Sequence, residues 1–184
     1  MHFPIKRIAA DGLLTTFALI LSYLESLLPI GFLIPVPGIR LGLPNLCVML
    51  AFFLMGKGDA WILSLLRVVL SCLLFSSPEA LLFSLCGALF SYAVLWMLSG
   101  LKKKEKISFL GLSPAAAAAH GIGQTLAACL LYRSGMFLLG LPLLIVFSAL
   151  AGIFTGLLAE LLLPRLKQIL IQSRVLPENR HGSE

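Results

Sequence analysis

Residues 22–45 read SYLESLLPIGFLIPVPGIRLGLPN and bring an acid, a base, an amide and rigid turns together between two apolar runs. The first part closes an apolar run that starts near residue 8, and the last residue, Asn45, opens the next run. In between, Pro35, Pro37 and Pro44 each lack a backbone N–H and fix φ, so no continuous helix can pass through. Gly38 and Gly42 flank Arg40 and allow backbone angles and close approaches that other residues do not. The stretch therefore predicts a stiff, non-helical link between two membrane helices. Glu25 lies at the end of the first helix, Arg40 in the link, and Asn45 at the start of the second. Any small molecule bound on the side where the link lies is expected to touch it.

The rest of the chain supports a membrane setting. Of 184 residues, 59% are hydrophobic and 12% charged, with a mean hydropathy of +1.02, outside the range of soluble domains. At about 1.5 Å per residue, a bilayer core needs about 20 apolar residues to cross. On that measure the sequence predicts spans near 8–28, 43–56, 60–76, 79–99, 113–133 and 138–163, an all-α, six-helix transmembrane bundle. The second span is short and only residues 56–59 part it from the third, which predicts a tight helical hairpin. The Lys6–Arg7 pair ahead of the first run has the look of a secretory leader. That run has no small-residue cleavage site, however, and is expected to stay as a helix. The domain division expected is a membrane domain over 1–164 and a disordered cytoplasmic tail over 165–184.

Charge sets the orientation. The chain carries 14 Lys and Arg residues, and apart from Arg67 only Arg40 and Arg133 fall on the outer side of a six-span arrangement. The excess on the other side predicts a multi-pass protein of the cell membrane with both termini in the cytoplasm. The net charge of +6 sits at the ends of apolar runs rather than among aromatics, which argues against nucleic acid as a partner. The four cysteines, Cys47, Cys72, Cys86 and Cys129, lie inside apolar runs without metal-ligand spacing and read as small packing residues. Small residues also recur at helical spacing, as Ala18, Ser22 and Ser26, and as Ser148, Gly152 and Gly156. Such stripes let helices approach closely, and the first of them would suit either the bundle itself or a partner's helix.

Ionisable and amide side chains inside hydrocarbon are site candidates by default. Glu25 is expected to bind a ligand or pair with Arg40, unless interfacial water already solvates it. Arg40 could clamp a carboxylate or phosphate through two hydrogen bonds. Arg67, inside the third span, needs a partner or a wet cavity, and Asp11 or Glu160 is expected to supply an ion pair of structural or coupling importance. His120 and Gln124 lie four residues apart on one helix face, where they form a polar cavity wall or hold helices together. Catalysis finds no support. There is no Walker A motif, no paired DDxxD carboxylates for magnesium and diphosphate, and no His/Cys set for haem or iron–sulfur chemistry. No metal or cofactor is expected.

Four segments carry a family resemblance: SYLESLLP (22–29), PGIRLGLPN (37–45), LLRVVL (65–70) and AHGIGQ (119–124). Together they resemble the heptaprenyl diphosphate synthase component I family, also called the Gx transporter family, over about 8–163. That family is in turn similar to the substrate-binding S components of energy-coupling factor (ECF) transporters. The chain departs from the family pattern at Gly121, usually Asn, and at Pro44, usually a small residue other than proline. The resemblance implies an S-component-like bundle that binds a small, amphipathic or isoprenoid-related molecule and docks on an ECF T subunit driven by paired ATPases. It also leaves two alternatives. One is a non-catalytic membrane partner of a prenyl diphosphate synthase, and the other is a quinone-linked component of an extracellular electron-transfer chain with a redox partner.

Overall fold

Six apolar runs become six helices in the computed structural model, which describes residues 5–27, 42–75, 77–103, 107–173 and Val175. They are α1 (Ile5–Ser26), α2 (Asn45–Leu54), α3 (Lys57–Phe75), α4 (Pro78–Lys103), α5 (Phe109–Tyr132) and α6 (Leu141–Gln172), with a 3-10 turn at Gly135–Gly140 leading into α6. Among the described residues there is no strand, and the fold is an all-α membrane bundle. Four helices, α1, α3, α4 and α6, are long and apolar enough to cross a bilayer. Their outward faces carry large exposed side chains such as Phe17, Leu73, Met97 and Phe154, as expected of a surface whose solvent is lipid. Residues 28–41, with Arg40, lie outside the described residues, as do 176–184 of the expected tail. Helix α6 runs on through Pro164 to Gln172, past the division expected at 164.

Contacts between helix ends show how the helices alternate. Arg7, at the start of α1, donates from Nη2 to the Met55 carbonyl at 2.7 Å and from Nε to Asp59 Oδ2 at 2.9 Å. Lys6 reaches the Ser173 carbonyl just past α6, and the Tyr92 hydroxyl of α4 donates to the Lys57 carbonyl that opens α3. Lys102 lies over the ring of Phe109, the first residue of α5. One end of the bundle thus gathers the starts of α1, α3 and α5 and the ends of α2, α4 and α6, with most of the described lysines and arginines. We call it the basic end.

The turn that joins α2 to α3 needs its glycine, because Gly56 has φ +118, a left-handed conformation that side chains resist. Helix α2 has 10 residues, about 15 Å, and rises only part of the way from the basic end. It is buried nearly all round, from Leu46 to Phe52. α5 lies between α4 and α6 and is the other interior helix. Its buried face is made of alanines, glycines and polar side chains between Ser113 and Ala128, while Leu130 near its end is exposed. Small residues close the seams on both sides. A Cβ added at Gly123 would lie 2.6 Å from the Cys86 carbonyl of α4, and one at Gly152 would lie 2.5 Å from Pro114 Cα. On α1, Ala18 and Ser22 are fully buried within the bundle while Ser26 is exposed, so the small stripe there serves the bundle's own packing.

Candidate functional site

The start of α2 is a turn built by Gly42, Leu43 and Pro44. Gly42 has φ +89, a conformation favourable only to glycine, and its carbonyl accepts from Asn45 N–H at 3.0 Å. Pro44, at φ −64, is already set for a helix start, where its missing N–H costs nothing. The turn points the Gly42 N–H at α1, where Glu25 Oε1 accepts it at 2.6 Å. Glu25 is only 1% exposed, so this charge-assisted bond is shielded from water.

The same turn orients Asn45 towards α3. Asn45 Oδ1 accepts from Arg67 Nη2 at 3.1 Å, and Arg67 is 3% exposed. Across from them, α5 contributes His120 and Gln124, both buried. Gly42 faces the imidazole, since a Cβ built there would lie 3.6 Å from His120 Cδ2. On α4, a Cβ at Gly87 would come within 2.8 Å of His120 Cε1 and 2.9 Å of Gln124 Cγ. Glu25, Asn45, Arg67, His120 and Gln124, five of the six predicted ligand and coupling positions other than Asp11 and Glu160, therefore meet in one polar layer. The sixth, Arg40, lies outside the described residues.

This layer is deep. Counted from the basic end, Asn45 starts a helix about 15 Å long, Arg67 stands about 15 Å along α3 and His120 about 16 Å along α5, while Glu25, about 30 Å along α1, joins them from the far side through Gly42. In a hydrocarbon core about 30 Å thick, about 15 Å is the middle. Asp11 is one turn along α1 from Arg7, and Glu160 is level with the start of α5, where its carboxylate accepts from Phe109 N–H at 3.2 Å. Both lie nearer the basic end than Arg67 does. Arg7 pairs with Asp59, and Arg67 donates to the amide of Asn45.

Beside the layer a cavity of about 10 Å³, the size of a single water, is lined by Gly42, Asn45 and the hydroxyl residues Ser64, Ser91, Ser113 and Thr155. Ser113 and Thr155 hydrogen-bond to each other at 2.8 Å. Asn45 Nδ2 is buried without an acceptor among the described residues. Sequence reading missed Gly87 and this hydroxyl set. The spacing Ser84, Gly87, Ala88, Ser91 on α4 was the available signal, a polar small stripe on one helix face.

The layer offers a carboxylate, a guanidinium, an imidazole and two amides in a low-dielectric setting. It can hold and orient a polar or charged group. Among the described residues no three His, Cys, Asp or Glu side chains gather as metal ligands would. No curated protein and no solved structure matches the chain. A family model, described as heptaprenyl diphosphate synthase component I, matches residues 14–162. The matched segment runs from α1 into α6 and includes every described member of the polar layer. The chain belongs to the heptaprenyl diphosphate synthase component I family.

Proposed function

We propose that this chain is a non-catalytic membrane subunit that holds the polar head of a small amphipathic molecule in its central layer and acts with a separate protein partner. The observation that carries the reading is the run of contacts from Glu25, near the far end of α1, through Gly42 and Asn45 to Arg67 at mid-membrane depth. A buried acid and a buried guanidinium in one apolar bundle are costly, and such groups mark ligand pathways. The family description supports a prenyl diphosphate synthase component as the partner. It also supports an isoprenoid diphosphate as the ligand. Arg67 would face phosphate oxygens, His120 and Gln124 would donate hydrogen bonds, and the prenyl chain would lie against the apolar helices. The positive-inside bias supports a cytoplasmic basic end, six spans and both termini inside.

The described cavity beside the layer is only water-sized, about 10 Å³, so on this reading the layer parts to admit the ligand. The test is equilibrium binding of a radiolabelled prenyl diphosphate to the purified full chain in lipid nanodiscs. Arg67→Gln is expected to weaken binding at least about tenfold, the worth of one charge-assisted hydrogen bond. Equal affinity in that variant overturns the site. A second reading, an S-component-like subunit of an ECF-type transporter, draws support from the position of Glu25 and Gly42 towards the end opposite the basic one. That position favours ligand entry from across the membrane. Uptake that needs a T subunit and ATPases in reconstituted vesicles would favour this reading over the synthase partner.

A further inference from the structure

A second cavity, about 320 Å³, lies between α1 and α3 at the basic end, away from the central layer. Its walls repeat at helical spacing on two parallel helices. Ile8, Asp11, Gly12 and Thr15 come from α1, and Asp59, Ile62, Leu63 and Leu66 from α3. The result is a trough about 10 Å long that runs from the basic end towards the hydrocarbon. Its outer edges face lipid, with Ile8 69% and Ile62 64% exposed. A Cβ added at Gly12 would meet nothing within 4 Å. A mid-helix glycine that no neighbour requires costs about 1 kcal/mol against alanine, and here it leaves the trough open.

Among the described residues the mouth holds one more carboxylate than cation. Asp11 and Asp59 supply two carboxylates, while Arg7 is the cation bound to Asp59. Side chains on a helix lean towards its N-terminus, so Asp11 leans towards the Arg7 level. Asp11 Oδ1 is buried and has no hydrogen-bond partner among the described residues. An acidic mouth one turn inside the basic end, above an apolar trough, is complementary to a lipid with a cationic head and an acyl tail. The buried acceptor adds a requirement for N–H donors.

We infer that the α1–α3 trough binds phosphatidylethanolamine, its primary ammonium donating to Asp11 and an acyl chain lying along Ile62 and Leu66. This site is independent of the central layer. The test uses native mass spectrometry of the purified full chain with phosphatidylethanolamine and phosphatidylcholine of identical acyl chains. The two heads carry the same charge, and only the first can donate. The native chain is expected to retain phosphatidylethanolamine at least about tenfold over phosphatidylcholine. Asp11→Asn, which removes the charge, and Gly12→Leu, which fills the trough, should each abolish that preference. Because the space beside Gly12 is empty, Gly12→Leu should melt no lower than the native chain in lipid-free detergent, which separates a blocked site from misfolding. A preference below about twofold in the native chain, or one that survives in either variant, overturns the inference.

Discussion

Replacing Gly152 by alanine should destabilise the bundle, and the size of the loss can be worked from the α5–α6 seam. The new Cβ would stand 2.5 Å from Pro114 Cα and 2.9 Å from Pro114 N. Unbonded carbons rest about 3.5 to 4 Å apart, and the proline backbone is not the flexible end of a side chain, so the helices must part by about 1 Å. Parting them loosens the neighbouring contacts too. Gly156 packs where a Cβ would be 2.7 Å from the Phe109 carbonyl, and the Ser113–Thr155 bond of 2.8 Å spans the same seam. Overpacking of this kind costs about 1 to 3 kcal/mol, set against a helix-propensity gain of about 1 kcal/mol for Gly→Ala. Gly100→Ala on α4 is the control, because a Cβ there meets nothing within 4 Å and only the propensity gain remains. Unfolding both variants by dodecyl sulfate titration in mixed micelles, followed by far-ultraviolet circular dichroism, isolates the packing cost as the difference between them. The expected difference is about 1 to 3 kcal/mol, with Gly100→Ala the more stable. Equal stability of the two variants would refute the claim that α5 and α6 touch backbone to backbone at this point.

Two further outcomes follow from particular contacts. Glu25→Ala removes the acceptor of the buried Gly42 N–H and should cost about 1 to 3 kcal/mol. It should also speed hydrogen exchange at the Gly42 amide, and unchanged exchange would mean that the Glu25–Gly42 bond does not hold the turn. Glu160→Gln removes a negative charge from the start of α5, where it bonds Phe109 N–H, and should cost about 0.3 to 1 kcal/mol. A loss well above that in the same titration would give Glu160 a role beyond helix capping.

Hydrophobic length is a property of the sequence in one dimension, and the helices were legible in it. So were the shortness of α2 and the tight hairpin at Gly56. Three-dimensional partners were less so. A span beginning near 60 puts Arg67 about 10 Å deep. The helix begins at Lys57, and the added turn lifts Arg67 to the level of Asn45. His120 and Gln124 were legible as a polar face, but whether they glued helices or walled a site depended on Gly87 and Gly42, which come from other elements. No spacing within α5 carries that information. The Ala18, Ser22, Ser26 stripe shows the converse limit, because periodicity shows that a face is smooth without naming its neighbour. In the fold that neighbour is the bundle itself, and the buried row on α1 continues through Glu25 rather than Ser26.

The depth of the central layer follows from the length of one helix. A full-length α2 would carry Asn45 to the far surface of the membrane, where water would solvate its amide and leave Arg67 below it in hydrocarbon. At 10 residues, α2 stops where Arg67 stands on α3. Gly42 makes the turn into α2 with its N–H directed at Glu25 on α1. Asn45 and Arg67 are thereby brought to one level by a single short apolar segment, and Glu25 reaches that segment's start from further along α1. His120 and Gln124 join them because Gly87 gives the α4–α5 contact the room that a side chain would take. Lengthening α2 by one turn, about 5.4 Å, would move Asn45 out of reach of Arg67 while leaving every apolar run intact. The position of the site is therefore a consequence of segment length, and its chemistry a consequence of which residues those lengths align.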